Sequence, residues 1–571
     1  MRLIRRPVIT LIPTIALAAC ASAQQRTSAA AQTDDAPSTA AITAADLRTR
    51  LGIFADDSMM GRAAGTPWND KGTDYIAREL QRLGLRPAGE NGTFFQSAMV
   101  RRTLQPDASV SVDGQTFAPW RDFLPRDPRD LGADQRDLSG GAQVVYGGTW
   151  GDTATLIAPS AVAGKVVIFT VPPLANGQPG WQANRGALAQ RYRNATAIAV
   201  ASLDAMPAAI REQLAQSGPA LRSTGGGPSV GRPQVPAFFY STRAMAEAML
   251  GRPLADAQRG TAGRAVRGTL NWREEAAPGR NVIAILPGRD PALRGQYVAI
   301  GSHNDHVGFS PGVTYDHDSL RAANLVVRPQ GAEGSARPAS EADLQRIRAT
   351  LDSLRRLRPA RRDSIFNGAD DDGSGSMGML EIAEALASAP ARPRRSLLFV
   401  WHTGEELGLY GAQYFTDHPT VPRDSIVAQV NVDMIGRGGV HDLPGGGPGY
   451  LQLIGSRRLS TELGDLVEAV NRRRPRPFTF DYQYDAPGHP QQFYCRSDHY
   501  MYARYGIPVV FMSTGGHVDY HMVTDEPQYI DYDKLRDVTQ FIHDVAVEIA
   551  NRPARLVVDR PKPNPQGQCV Q

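Results

Sequence analysis

Five short segments between residues 301 and 521 each carry a side chain able to hold a metal ion. They are Gly301-Ser302-His303-Asn304-Asp305, Asp370-Asp371-Asp372-Gly373-Ser374-Gly375, Gly404-Glu405-Glu406, Asn431-Val432-Asp433 and Asp519-Tyr520-His521. Two imidazoles with several carboxylates, and no cysteine among them, suit a pair of divalent cations. This donor chemistry favours zinc in a catalytic site over zinc in a structural one. Glu405 and Glu406 follow an apolar run directly. Adjacent residues leaving a strand point to different sides, so one can bind a cation while the other faces a substrate and takes a proton from water.

Each segment also has an ordinary reading. A lone strand-end histidine such as His303 is more often a hydrogen-bonded core or surface residue. Once ligands converge, Asp305 can accept the imidazole's second N–H and fix its tautomer. Acidic residues before Gly and Ser commonly cap a helix, but three adjacent carboxylates at 370–372 repel one another, and a bridging cation pair relieves that repulsion. Spacing alone leaves His402, His489, His499 and His517 as alternatives for any single position.

The elements around these segments place them together. From Asn281 the chain alternates buried-type strands (282–286, 297–300, 397–401, 426–430 and 508–512) with helices. One helix follows Asp371, with Met379, Ile382, Ala383 and Leu386 on a face; another carries Leu535, Val538, Ile542, Val545 and Ile549. The pattern predicts a sheet covered on both faces, with ligands collecting beyond the strand C-termini. His303, Glu405, Glu406 and Asp433 fall there. Two helical segments precede this region, from about Ala44 and from Asn69 to Leu83. Short β-type runs between Gly/Pro-rich turns at about 140–270 predict an inserted β-rich domain. Residues 307–366 interrupt the α/β pattern with loop and one amphipathic helix, Ser340 as its N-cap and Asp343 completing a capping box.

Composition bounds the partners. The 571 residues carry 62 Lys and Arg against 58 Asp and Glu, a net charge of +4, or +1 without Arg2, Arg5 and Arg6. Nucleic-acid binding is not expected from so balanced a chain. The basic start, the apolar run Val8 to Ala19 and Leu17-Ala18-Ala19-Cys20 read as an export signal resembling a bacterial lipobox. It predicts a periplasmic protein attached to a membrane through a lipidated Cys20, with soluble export after Ala21-Ser22-Ala23 as the alternative. Cys495 and Cys569 would then be the remaining cysteines; two alone define no framework, and no bond is predicted between them.

The five segments, in this order, resemble the co-catalytic di-zinc exopeptidases, the group of bacterial leucyl aminopeptidases, glutamate carboxypeptidase and the transferrin receptor ectodomain. The similarity covers roughly residues 44–550. It implies an α/β fold, an α/β/α sandwich around a mixed, mainly parallel sheet, with an inserted protease-associated β-rich domain. The implied organisation is a signal segment at 1–20, a tether at 21–43, a peptidase domain at 44–135 and 275–553 interrupted at 307–366, the insert at 136–274 and a tail at 554–571. Two Zn2+ per chain are implied, His303 and Asp433 on one, Glu406 and His521 on the other, Asp371 bridging and often followed by a cis peptide. Glu405 would be the general base, with Asp305 a second catalytic residue through the His303 imidazole and Ser497-Asp498-His499 beside the site; the chemistry would add a donor for the oxyanion, such as Tyr500 or His499. The implied activity is that of an exported zinc aminopeptidase acting on N-terminal residues of peptides. A zinc carboxypeptidase or dipeptidase, for which Arg437, Arg496 and Arg504 are near in sequence, and a glutaminyl cyclase-type acyltransferase are the alternatives. The complete ligand set argues against the one-zinc cyclase and against a non-catalytic ectodomain.

Overall fold

The computed structural model describes residues 38–571 apart from 132, 175–176, 216–218, 223–233 and 330. The export signal, Cys20 and the tether as far as residue 37 lie outside the described residues.

The apolar runs pair into one nine-stranded sheet. Its order is Arg86–Pro87, Arg280–Leu286, Ser396–His402, Tyr297–His303, Ile426–Val432, Val509–Ser513, Tyr450–Ile454 and Thr479–Asp481, with Phe95–Ser97 also paired to Arg280–Leu286. The four strands from Ser396–His402 to Val509–Ser513 are parallel; Arg280–Leu286 and Tyr450–Ile454 flank them antiparallel. Period-two alternation splits each inner strand between two cores. Val282, Ala284, Leu286, Leu397, Phe399 and Trp401 pack with the helices Ala44–Phe54, Gly375–Ser388 and Tyr532–Asn551. Ile283, Ile285, Leu398 and Val400 face the other way, towards Phe415, Tyr500 and Tyr502. The chain leaves Tyr297–His303 for a neighbour on one side and later places Ile426–Val432 on the other. His303 therefore ends the strand at the switch in order, where open α/β sheets bind ligands.

The β-rich region forms a second sheet of eight strands, ordered from Gln115–Phe117 through Ser109–Val112, Ala262–Thr269, Ala142–Thr149, Val166–Thr170, Ala197–Ala201 and Ala237–Ser241 to Phe123–Arg126. It begins before the expected boundary at 136, because the hairpin 109–117 and the strand 123–126 pair with strands of the insert. The segments Met99–Leu104 and Trp272–Ala276 pair antiparallel where the chain passes out to this sheet and back.

Among the described residues, 307–366 hold two α-helices, His317–Val327, which the sequence did not suggest, and Glu341–Leu357, whose Ser340/Asp343 capping box is formed. Arginines of the insertion are paired: Arg355 and Arg358 donate to Asp318, and Arg337 and Arg346 to Asp343. The segment 554–571 is not loose: Leu556 is buried, and Gln571 Nε2 donates to the carbonyl of Tyr484 at 3.0 Å. Cys569 is disulfide-bonded to Cys495, a pairing the sequence alone did not predict.

Candidate metal centre

Three consecutive aspartates open the helix Gly375–Ser388, and each does something different. Asp372 accepts from the backbone N–H groups of His303 (3.2 Å), Gly375 (2.9 Å) and Met434 (3.1 Å). Asp370 accepts from Gly436 N–H at 2.6 Å. Backbone donors thus balance Asp372, while the second oxygen of Asp370 faces His517 Nε2 at 3.3 Å. Asp371 is aimed elsewhere. Its Oδ1 lies 3.1 Å from His303 Nε2 and its Oδ2 3.0 Å from His521 Nε2, so its two oxygens face different groups. Asp525 fixes it from behind, accepting the N–H of both Asp370 and Asp371 at 3.0–3.1 Å. The Asp371–Asp372 peptide is cis.

The other groups arrive from strand ends. His303 closes its strand with Nδ1 3.0 Å from the carbonyl oxygen of Asp305 and 3.8 Å from its carboxylate, so the backbone rather than the Asp305 side chain orients the ring. Asp305 instead accepts the backbone N–H of Glu405 at 3.2 Å, and burial pushes its carboxyl up to about 7. Gly404, at φ 67, turns the chain so that Glu405 and Glu406 leave the strand Ser396–His402 in different directions. Asp433 Oδ1 is 3.6 Å from His303 Nε2, and Ser497 Oγ donates to its Oδ2 at 2.7 Å. Met434 and His521 are non-glycine residues with φ of 56 and 55, local strain of the kind that clusters at functional sites.

Two donor groups result, joined by Asp371: His303, Asp371 and Asp433, and His306, Asp371, Glu406 and His521. In each, the donor atoms lie within 4.8 Å of one another. His306 was not singled out in the sequence; its Nδ1 stands 2.8 Å from Glu406 Oε1. The buried atoms Glu406 Oε1, His306 Nδ1 and Nε2, and His521 Nε2 have no hydrogen-bond partner. Buried polar atoms left in that state are costly, and a cation shared among them removes the cost. The donor set therefore fits zinc. Burial would lower His521, but Asp371 and Glu406 outweigh it and raise the imidazole to about 10. Burial raises Glu405 well above the usual carboxylate range, and the charges of Glu406, Asp433 and Asp498 add to it against His303.

A cavity of about 170 Å3 opens on this centre. Its lining includes His303, Asp371, Glu405 and Asp433 on one side, Met434, Phe493 and Phe511 as apolar walls, and Arg496 and Tyr520. Ala332, from the 307–366 insertion, also reaches it. Several expectations change here. Tyr500 and His499 are buried away from the cavity, His499 stacked on Phe511 and pulled down to about 3 by burial; Tyr520 is the tyrosine that lines it. Asp305 is not among the residues lining this cavity; its carboxylate accepts the backbone N–H of Glu405, which does line it. Arg437 is paired with Asp442 and Asp519, and Arg504 donates to Asp417, so of the three arginines only Arg496 reaches the cavity. His402, His489, His499 and His517 join neither donor group; His402 Nδ1 is 3.0 Å from Asp498, and His517 Nε2 is 3.3 Å from Asp370.

Residues 331–546 match the model of peptidase family M28. Leupeptin-inactivating enzyme 1 of Streptomyces exfoliatus is 42% identical over 77 residues, 13% of this chain and 18% of that protein. A probable leucine aminopeptidase of Arthroderma benhamiae is 43% identical over 75 residues, 12% of this chain and 21% of its own. The chain thus spans about a fifth of the length of these curated relatives. Among solved structures, an aminopeptidase from Aneurinibacillus sp. strain AM-1 aligns over 91% of this chain and 97% of its own, at 16% identity and a TM-score of 0.44.

Proposed function

We propose that the chain is a zinc-dependent exopeptidase, an aminopeptidase that removes N-terminal residues from peptides with two Zn2+ per chain. The observation that carries this reading is the pair of donor groups sharing Asp371, with Glu405 beside them on the cavity. The M28 match over residues 331–546 supports the same reaction class. His303, Asp371 and Asp433 would hold one cation, and Asp371, His306, Glu406 and His521 the other. Cations held there supply Lewis acidity, which makes water a nucleophile at neutral pH and polarises a carbonyl.

The chain's own residues do the rest. Glu405 takes the water proton and returns it to the departing amine. Burial raises its affinity for protons, which suits a group that must take one and pass it on. Asp305 holds the Glu405 backbone from below. Tyr520, whose hydroxyl burial keeps neutral, stands on the cavity as a donor for the developing oxyanion. Met434, Phe493 and Phe511 suit an apolar side chain, and Glu405, the lining carboxylate not committed to a cation, is left to face a free α-ammonium. Arg496 on the same wall supports the second reading, a carboxypeptidase or dipeptidase gripping a terminal carboxylate. Export to a periplasmic or membrane-attached location belongs to the same proposal; the Cys495–Cys569 bond is of a kind that persists in oxidising compartments.

The test is hydrolysis of aminoacyl chromogenic substrates, their N-blocked counterparts and C-terminally free N-blocked dipeptides, by chelator-stripped protein with zinc titrated back. The expected result is activity on free amines alone, restored near two zinc per chain. Hydrolysis confined to the free-carboxylate substrates would replace the aminopeptidase reading with the carboxypeptidase one.

A further inference from the structure

The two donor groups around Asp371 are unequal, and the difference lies in His306. This histidine is 1% exposed and lies outside the segment matched by the family model. Neither ring nitrogen has a hydrogen-bond partner, and Glu406 Oε1, 2.8 Å from its Nδ1, has none either. The pairs His402–Asp498 and His517–Asp370 are also close and unpartnered, but at His306 and Glu406 two further donor residues, Asp371 and His521, converge on the same point, as ligands of one ion do. Around a tetrahedral zinc with bonds of about 2.0–2.1 Å, adjacent donors stand about 3.3 Å apart. The corresponding separations here are 2.8 Å (His306–Glu406), 3.0 Å (His521–Glu406), 3.0 Å (His521–Asp371) and 3.6 Å (His306–Asp371). The rings of His306 and His521 stand edge to face at 77°, leaving their nitrogens free to converge.

The cavity makes the same distinction independently. His303, Asp371, Asp433 and Glu405 line it, whereas His306, Glu406 and His521 do not, although the His521 side chain is itself 35% exposed. Four protein donors complete a tetrahedral shell, and three leave a position open, the usual division between structural and catalytic zinc.

Resting on the two-cation reading above, we infer that the two metal positions have different jobs. His306, Asp371, Glu406 and His521 form a closed site whose zinc is retained as part of the fold. His303, Asp371 and Asp433 form an open site, facing the cavity, whose zinc exchanges. The full protein thus loses its metals in sequence, the cavity-side ion first.

Zinc content and ligand environment test this without reference to turnover. Graded dialysis of the zinc-loaded full chain against a chelator, read by elemental analysis, is expected to plateau at one zinc per chain. X-ray absorption of that one-zinc form is expected to report two imidazole ligands, from His306 and His521. In His306→Ala the plateau disappears, with a loss of zinc affinity exceeding the roughly 10–100-fold typical of removing a ligand's supporting partner. Asp433→Ala is expected to keep the plateau and lose the second zinc. A one-zinc form with a single imidazole, or an intact plateau in His306→Ala, overturns the inference; the wild-type spectrum decides alone where that variant does not fold. Two zincs of equal affinity with one imidazole each overturn it while sparing the two-cation reading, and a chain that takes up no zinc sinks both.

Discussion

The two large sheets have the same middle. Each holds four parallel strands flanked by antiparallel ones, and each is packed on both faces: Val166 and Ile168 enter one core of the second sheet, Val167 and Phe169 the other. Their strand ends differ. The parallel strands of the first run out into His303, Glu405 and Glu406, and Asp433; those of the second end at Thr149, Thr170, Ala201 and Ser241. Both candidate cation groups belong to the first sheet, and among the described residues the second has none. The space beyond a parallel strand's C-terminus is therefore a location, and the chemistry comes from what fills it. Buried carboxylates persist there only where donors balance them, and the backbone amides held by Asp370, Asp372 and Asp525 supply that balance beneath the first sheet.

The sharpest way to break this contrast is to strike one sheet's chemistry and the other's core. Glu405→Gln removes a proton acceptor while keeping shape, and is expected to lower kcat by about 10²–10⁴-fold with zinc content and Tm unchanged. Unchanged kcat would take the base away from Glu405. The counterpart is Phe239→Ala. Phe239 is fully buried in the second sheet, edge to face with Phe123 at 5.5 Å. Its truncation is expected to cost about 3–5 kcal/mol in denaturant unfolding. Because no residue lining the cavity comes from the second sheet, kcat per folded molecule should stay at the wild-type value. A matching fall in kcat would mean that the second sheet shapes the cavity, and the contrast would collapse.

What the sequence disclosed follows from the same physics. Runs such as 397–401, apolar on both faces, and 426–430, apolar but for Gln429, made burial and type legible, and the carboxylates soon after them were conspicuous. His306 was not. It follows His303 by three residues, a spacing that in a strand sends side chains to opposite faces, and only the turn after 303 brings it round. A second histidine in one strand-end segment was the available signal. Asp525 works entirely through backbone N–H groups and leaves no pattern in composition or period. The hairpin at 109–117 lies at a sheet edge with half its residues polar, and its membership depends on pairing with Ala262–Thr269, some 150 residues away.

Asp525→Asn sharpens the contrast at smaller amplitude. It keeps the volume, removes a charge that faces two N–H groups, and loosens the grip on Asp371 without touching a cation. The expected outcome is a roughly 10–100-fold loss of zinc affinity in competition with a chelator, the size usual for a supporting partner. Affinity equal to wild type would show that Asp371 is held without help from Asp525.

The smallest effect is expected at Lys534, a buried lysine at the border of the first sheet. Its Nζ donates to the carbonyls of Gly438 (2.8 Å) and Gly447 (2.9 Å), tying the helix Tyr532–Asn551 to the loop beyond Asp433. Burial pulls its pKa down to about 8, against the opposing charges of Asp442, Asp531 and Asp370. The unfolded chain keeps that proton to about pH 10.5, so between these values the unfolded state binds more protons and stability rises with pH. Over about pH 7 to 9 the gain is about 1 kcal/mol. Lys534→Met removes the titration, and its unfolding free energy should lack that rise in urea titrations across the window. If the rise persists in Lys534→Met, another group titrates there, and the buried charges at the border of the first sheet are balanced by partners other than this lysine.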